Sequence, residues 1–415
     1  MHSTSVEEAR SFLLERTRPI TEIEKVDTAT GAGRVLAETI CSSIDVPGYD
    51  NSAMDGYAVR SEDIAVRGET RLGITRRITA GDDAQTSGLG SISGQAARIF
   101  TGAPLPEGFD AVVMQEHCRV ESQLEDDSVS ITGPVSRGMN VRYRGNDIRA
   151  GTPALAAGTR LRPWMLGLVA AMGISRLRVF RRLRVALLSS GNELVQPGVP
   201  LKPGQCYDAN RYTLFGLLTD SGCEVLDFGV MPDDFAATQK ALRDAAHQVD
   251  LIITSGGVSV GEEDHIKQAV ETIGRLDLWR VAVKPGKPLA YGRIDNADFI
   301  GLPGNPVSVL VAFCLFVRPI LLKRQGAAPS FPLPRFVRAD FSWNRPGNRR
   351  EYARARLAPE QEKGNHEPKV VLFARQGSDV LSSAVWADGL VEIPPDTVIA
   401  PGDKVAYLSF AELLG

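Results

Sequence analysis

Between Arg184 and Leu302, short apolar runs alternate with helical patterns, and this alternation constrains the fold of the chain more than any other feature. The spacing predicts strands at Val185–Ser189, Glu224–Val230, Leu251–Ser255, Trp279–Val283 and Phe299–Leu302. It predicts helices between them, near Arg211–Ser221, Phe235–His247 and His265–Ile273; the first carries Leu214, Leu217 and Leu218 at helical spacing. Such alternation builds a mostly parallel sheet covered by helices on both faces. Ligands of these sheets bind outside the carboxyl ends of the strands, so the loops after each strand are where chemistry is expected.

At 415 residues the chain exceeds one ordinary core. Ser5-Val6-Glu7-Glu8 reads as a capping box opening a helix with Phe12, Leu13 and Leu14, and a second helical stretch is expected from Gly33 to Ile40. From Ile44 to about Tyr143 the chain is rich in Gly, Asp and Ser, with β-prone runs at Ala97–Phe100 and Ala111–Met114. Helical character returns at Pro163 with Leu166, Leu168, Val169 and Met172, so the β-rich part reads as an insertion in a helical unit. A last helix is expected from Pro306 towards Lys323; after a break at Pro329, Pro332 and Pro334, residues 336–415 read as a C-terminal β domain.

The 47 basic and 50 acidic residues leave a net charge of −3, which offers no electrostatic footprint for nucleic acid or an anionic membrane; any anion site must be local. The five cysteines are widely spaced and form no Cys-x-x-Cys pair, which argues against a disulfide framework and for a reducing compartment. The N-terminus lacks the order of a signal peptide, and the longest apolar run, Val309 to Val317, is nine residues against about twenty for a membrane span. A cytoplasmic protein is the expectation.

The most informative loop follows the third predicted strand: Ser255-Gly256-Gly257-Val258-Ser259-Val260-Gly261. Glycines admit close backbone approach, and the N–H groups at the next helix start favour an anion such as phosphate; an ordinary strand-to-helix turn would look the same. Asp264 follows Glu262 and Glu263 at that helix start, where acids suit the helix dipole or hold magnesium beside a phosphate. Glu193 and Asp233 are further acids at carboxyl ends of strands, and three acids on one edge point to a metal. Lys284-Pro285-Gly286-Lys287-Pro288 presents two lysines at the same edge, and Pro303-Gly304-Asn305-Pro306 makes a stiff turn there. The polar run Asp50–Ala58 reads as a surface loop that composition leaves unexplained. His117, His247, His265 and His366 show no metal-ligand spacing, and there is no Gly-x-Ser-x-Gly elbow or Walker A sequence.

These segments together resemble the molybdopterin molybdenumtransferase family, the MoeA type that also forms the E domain of gephyrin. The resemblance is carried by VPGYDNSAMDGYAVR from Val46, RIFTGAPLPEGFDAVVMQE from Arg98, TSGGVSVGEEDH from Thr254, and KPGKP with GLPGNPVS, ending at Ser308; SSGNEL from Ser189 and YDANR from Tyr207 agree. It runs from about residue 6 to 415 and is weakest in the C-terminal part. It implies a multidomain α/β plus β protein: a split helical domain (1–45 and 144–182), an inserted β domain (46–143), a parallel-sheet α/β molybdopterin-binding domain (183–328) and a C-terminal β-barrel-like domain (329–415). It further implies a homodimer whose active site is shared between subunits, so that Asp55 faces the site of the other copy, and work alongside other molybdenum cofactor biosynthesis proteins. The family reaction joins adenylylated molybdopterin with molybdate, with Mg2+ assisting, and releases AMP. By resemblance, Ser255, Gly256, Gly257, Ser259 and Gly261 cradle phosphate, while Glu193, Asp233 and Asp264 serve the metal or substrate activation. Lys284 and Lys287 flank the substrate or molybdate, and Thr101, Arg142, Asp147, Arg280, Pro303, Gly304, Asn305, Pro306 and Ser378 match other site positions. Arg280, His265 and Asn192 stand where lysine, tyrosine and aspartate are common in the family. A single-domain molybdopterin adenylyltransferase would lack the insert and the C-terminal domain, and a non-catalytic carrier would not need the acids and lysines.

Overall fold

The computed structural model describes residues 4–82, 92–121, 127–257, 265–286, 288–358 and 367–415; Ser259, Gly261, Asp264 and Lys287 therefore lie outside the described residues. Helix α1 (Val6–Arg16) begins at the predicted capping box, with Glu8 N–H donating to Ser5 Oγ (3.1 Å) and Ser5 N–H to Glu8 Oε2 (2.9 Å). Its buried face, Val6, Ala9 and Leu13, packs into the core of the α/β domain. The helix expected at Gly33–Ile40 is instead extended: Gly33 N–H donates to Leu161 O (2.8 Å), Leu36 N–H to Thr159 O (3.0 Å) and Ala37 N–H to Arg178 O (3.0 Å). Neighbouring segments offer carbonyls to this stretch, and that pairing outweighs a weak helical preference. Around it lie paired strands, Ile23–Asp27 with Arg176–Phe180 and Ile40–Cys41 with Pro153–Leu155, and helix α2 (Pro163–Ala171), which starts at its proline as predicted.

The insertion is a six-stranded sheet in the order Ala111–Met114, Gly56–Val59, Gln95–Ile99, Glu69–Ile78, Ser128–Thr132 and Cys118–Glu121. Gly56 is fixed by a close approach, since a Cβ there would sit 1.9 Å from Val113 O on the neighbouring strand. The Asp50–Ala58 run therefore leads into a central strand of this sheet, with Asp55 in the turn that enters it.

The α/β domain has strands β1 (Arg184–Ser190), β2 (Glu224–Met231), β3 (Leu251–Ser255), β4 (Gly274–Arg280), β5 (Pro288–Ile294) and β6 (Ala297–Leu302), in the order β2-β1-β3-β6-β5-β4. The first four in that order are parallel, and β6-β5 and β5-β4 are antiparallel. β3 coincides with its prediction because all five residues are buried, the signature of a strand covered on both faces. The strand expected at Trp279–Val283 is displaced. β4 ends at Arg280, and Val283–Lys284 leaves the sheet to pair with Arg350–Glu351. The ladder with β5, Gly274 opposite Ile294 through Arg280 opposite Pro288, sets that register, and no local spacing encodes it.

Helices α3 (Ala209–Asp220), α4 (Phe235–Ala246) and α5 (His265–Ile273) flank the sheet, with Asp208 and Asp234 capping α3 and α4 through Arg211 N–H and Ala237 N–H. Helix α6 (Pro306–Ala312) continues through a π turn at Phe313–Val317 into α7 (Arg318–Arg324). This helical run of 19 residues is long and apolar enough to cross a membrane, but its most apolar stretch is 83% buried within the protein, in the largest hydrophobic core. Strands β7 (Arg335–Ala339), β8 (Arg350–Leu357), β9 (Lys369–Leu372), β10 (Gly389–Ile393) and β11 (Lys404–Ser409) close into a five-stranded barrel, since β8 pairs with both β9 and β10. All five cysteines are free.

Candidate active site

A cavity of about 1040 Å³ opens where the carboxyl ends of β1, β3 and β6 face the barrel. Its sheet-side wall includes Glu193, Ser255–Gly257 and the turn Pro303–Pro306; its barrel-side wall includes Arg349, Glu351, Arg354 and Ser378. The parallel strands thus present their loops as the sequence implied, and the barrel supplies a second wall that it did not.

Backbone geometry makes glycine necessary at the centre of the sheet-side wall. Gly256 has φ +85° and a Cβ on it would lie 2.7 Å from Ser190 O; Gly257 has φ +66° and a Cβ on it would lie 2.4 Å from Ile266 Cδ1. Gly256 N–H is committed to Leu302 O (3.1 Å), whereas Gly257 N–H has no backbone acceptor among the described residues. Among the described residues of the loop, Gly257 is the one whose amide has no backbone acceptor. Asn210 Nδ2 donates to Gly304 O (2.6 Å), holding the turn after β6 against the start of α3. Val307 N–H donates to Ser378 O (3.0 Å), joining that turn to the barrel.

Glu193 is exposed on the cavity wall, and its carboxylate has no hydrogen-bond or ion-pair partner among the described residues. Asp233 is not among the described residues that line the cavity; its carboxylate accepts from Ser190 Oγ (3.0 Å) and Asn192 N–H (3.0 Å), tying the end of β2 to the loop that carries Glu193. Among the described residues no three Asp, Glu, His or Cys side chains gather as a metal cluster. An oxygen-only carboxylate such as Glu193, open to the cavity, suits a hard cation that keeps several waters and shares substrate phosphates.

Lys284 lies on the cavity wall, but on a segment that has left the sheet rather than directly after the fourth strand as expected. Its Nζ donates to Glu351 Oε1 at 3.0 Å, across the pairing of Val283–Lys284 with β8. Arg354, 1% exposed, donates from Nε to Ser383 Oγ (2.9 Å) and from a terminal nitrogen to Gly377 O (2.9 Å). Burial pushes Arg354 down to about 10, opposed by the charges of Asp379 and Glu351, so it stays cationic at neutral pH. Arg280 ends β4 and is not among the lining residues.

The remaining predicted residues gather elsewhere. Asp55 accepts from Thr101 N–H (2.7 Å) and Thr101 Oγ1 (2.8 Å). Those two bonds, the backbone one foremost, hold its carboxyl below the usual carboxylate range. Arg142 pairs with Asn51 across a two-residue ladder, and Asp147 N–H donates to Val46 O (3.0 Å). Asp55, Thr101, Arg142 and Asp147 are all exposed, belong to this one region, and do not line the cavity. Within one chain the predicted site residues therefore form two groups.

Sequence reasoning missed Asp208, Asn210, Trp343, Arg349, Glu351, Arg354, Gln376 and Asp379, all on the cavity wall. The Tyr207–Arg211 segment gave a signal for the first two; the barrel residues read only as alternating strand positions.

Three family models cover this chain in order: MoeA N-terminal region (domain I and II) at residues 4–173, Probable molybdopterin binding domain at 186–323 and MoeA C-terminal region (domain IV) at 337–410. A Haemophilus influenzae protein named molybdopterin molybdenumtransferase is 39% identical over 413 residues, covering 99% of this chain and all of that protein. The chain belongs to the MoeA family. Another MoeA-family relative, molybdopterin molybdenumtransferase 2 of Mycobacterium tuberculosis, is 35% identical over 404 residues, 95% of each chain. The crystal structure titled molybdopterin biosynthesis moeA protein from Pyrococcus horikoshii matches with a TM-score of 0.81 at 28% identity, covering 99% of this chain and 100% of that one.

Proposed function

We propose that this MoeA-family chain is a molybdopterin molybdenumtransferase, which joins adenylylated molybdopterin with molybdate, releasing AMP and water and forming molybdenum cofactor. The observation that carries this reading is the cavity between sheet and barrel, lined by the glycine loop, Lys284 and buried Arg354. A doubly charged oxyanion and a phosphoanhydride repel one another, and fixed cations offset that repulsion most strongly where water is excluded. Arg354 is pre-oriented by Ser383 and Gly377, so its charge requires no reorganisation when an oxyanion arrives. Gly257 N–H is available to phosphate oxygens.

Mg2+ would be held by Glu193 and Asp264, with Asp233 either ligating or orienting the Glu193 loop, and would supply charge compensation at the phosphoanhydride. We place the protein in the cytoplasm, working with other molybdenum cofactor biosynthesis proteins. The working form is a homodimer in which Asp55, Thr101, Arg142 and Asp147 of the partner subunit complete the cavity. Helix α2 supports this: its nine residues carry no charge, only Val169 is buried, and Trp164 is 70% exposed. Tyr212 and Phe215 on α3 are also exposed, and Arg160 donates to Asp220 O (3.0 Å), joining the start of α2 to the end of α3. Apolar helix faces of this kind are normally covered.

The test is AMP release from adenylylated molybdopterin by the purified chain with Mg2+ and molybdate. AMP formation that depends on molybdate is expected. Absence of that dependence, or consumption of molybdopterin and ATP instead, would overturn the reading.

A further inference from the structure

Four acidic residues, Glu193, Asp208, Glu351 and Asp379, line a cavity whose described cationic residues are Lys284, Arg349 and Arg354. For a site that takes an oxyanion, acids on the wall need a reason. Asp208 has one, since it caps α3 through Arg211 N–H (3.1 Å). Glu351 does not cap or brace its own domain. Its side chain is 8% exposed and accepts from Lys284, a residue 67 positions away on the sheet-side segment.

The two partners differ in freedom. Glu351 is anchored within β8, with its backbone opposite Ile393 on one side and Lys284 on the other. The Lys284 side chain is 51% exposed and reaches into the cavity from a two-residue ladder. An ammonium has three donors, and the contact with Glu351 uses one, leaving two for a ligand. The carboxylate thereby aims the lysine. It also keeps a full negative charge within about two hydrogen-bond lengths of any anion that Lys284 binds, and charge of like sign at that range weakens binding.

We propose that Glu351 is a positioning residue for Lys284 and that its charge moderates the affinity of the cavity for oxyanions. This rests on the reading that an oxyanion enters this cavity. The role of the acid is then to prevent the site from becoming an anion trap: Lys284 is held in place by a partner that also limits how tightly the oxyanion binds.

The test is equilibrium binding of molybdate, with tungstate as a second probe, to the full-length chain by calorimetry. Glu351→Gln keeps an acceptor for Lys284 and removes the charge, so Kd is expected to fall about tenfold and KM for molybdate to fall with it, while kcat changes less. Glu351→Asp keeps the charge and withdraws the contact by one methylene, so Kd is expected to rise at least threefold. Binding to Glu351→Gln that is unchanged or weaker would overturn the proposal, as would a Glu351→Asp chain that binds like the unmodified one. If the unmodified chain binds neither anion, the oxyanion reading of the cavity falls, and this inference with it.

Discussion

Asp55 shows how a single exposed residue can be set electrostatically without burial. Its carboxylate takes both donors of Thr101, and its folded-state pKa lies below that of the unfolded chain. The sign follows from linkage. A depressed carboxyl contributes stability above its unfolded pKa and loses it as pH falls through the folded value, so Asp55 is anionic at every pH near neutrality. Any acid limb of the activity profile between about pH 5 and 8 must come from another group. Thr101→Val should raise the Asp55 pKa but not to the unperturbed value, because the backbone N–H donor remains. Carboxyl carbon NMR titration measures this, and an unmoved Asp55 would show that the hydroxyl contributes nothing. Asp55 and Thr101 were reached only through the family resemblance, since the polar run Asp50–Ala58 by itself read as a surface loop. Their pairing was not legible, because Thr101 is 46 residues away.

At the scale of elements, the glycine loop after β3 is where local sequence and long-range geometry meet. A methyl group on Gly256 would strike the Ser190 carbonyl, which cannot yield without moving β1; on Gly257 it would strike the far end of the Ile266 side chain, which can rotate. Both positions are left-handed and cost about 1–2 kcal/mol for any other residue. Gly256→Ala should therefore destabilise the α/β domain by about 3 kcal/mol or more, and Gly257→Ala by about 1–2 kcal/mol. Urea unfolding followed through that domain's transition tests the order, and equal losses would mean that the Ser190 contact relaxes. The strand β3 and its glycines were legible because burial on both faces gives a continuous apolar run and tight turns demand glycine. Helix α5 was legible because its buried Ile266, Ala269 and Val270 recur at helical spacing. The antiparallel β5, the extended Gly33–Ile40 segment and the true setting of Lys284 were not, because each is fixed by a partner strand or carbonyl remote in sequence. Arg354 was the least legible of all. Within β8 it alternates with Ala353 and Ala355 of the barrel core, so it lies on the outer face of the barrel, and only the packing of that face against the α/β domain brings it to the cavity.

For the whole molecule, the division of the predicted residues into two groups is the feature that decides how the protein must work. The cavity holds the glycine loop, Lys284 and Arg354, while Asp55 and Thr101 are exposed on the inserted domain. If the second group belongs to the site, a two-fold dimer supplies it from the other copy, and each dimer has two identical shared sites. Asp55→Ala and Lys284→Ala chains should then each be inactive as homodimers. In a mixed dimer, one site carries both substitutions and the other carries neither. Random exchange makes half of the dimers mixed and leaves one intact site in each, so a mixture should recover about a quarter of the unmodified activity. Trp164→Glu should block that recovery by placing a charge on the apolar face of α2, and light scattering should then report a monomer. Recovery absent after exchange has been verified by mass would put both groups in one subunit's own site or remove Asp55 from the mechanism, and full activity of the Trp164→Glu monomer would exclude a shared site altogether.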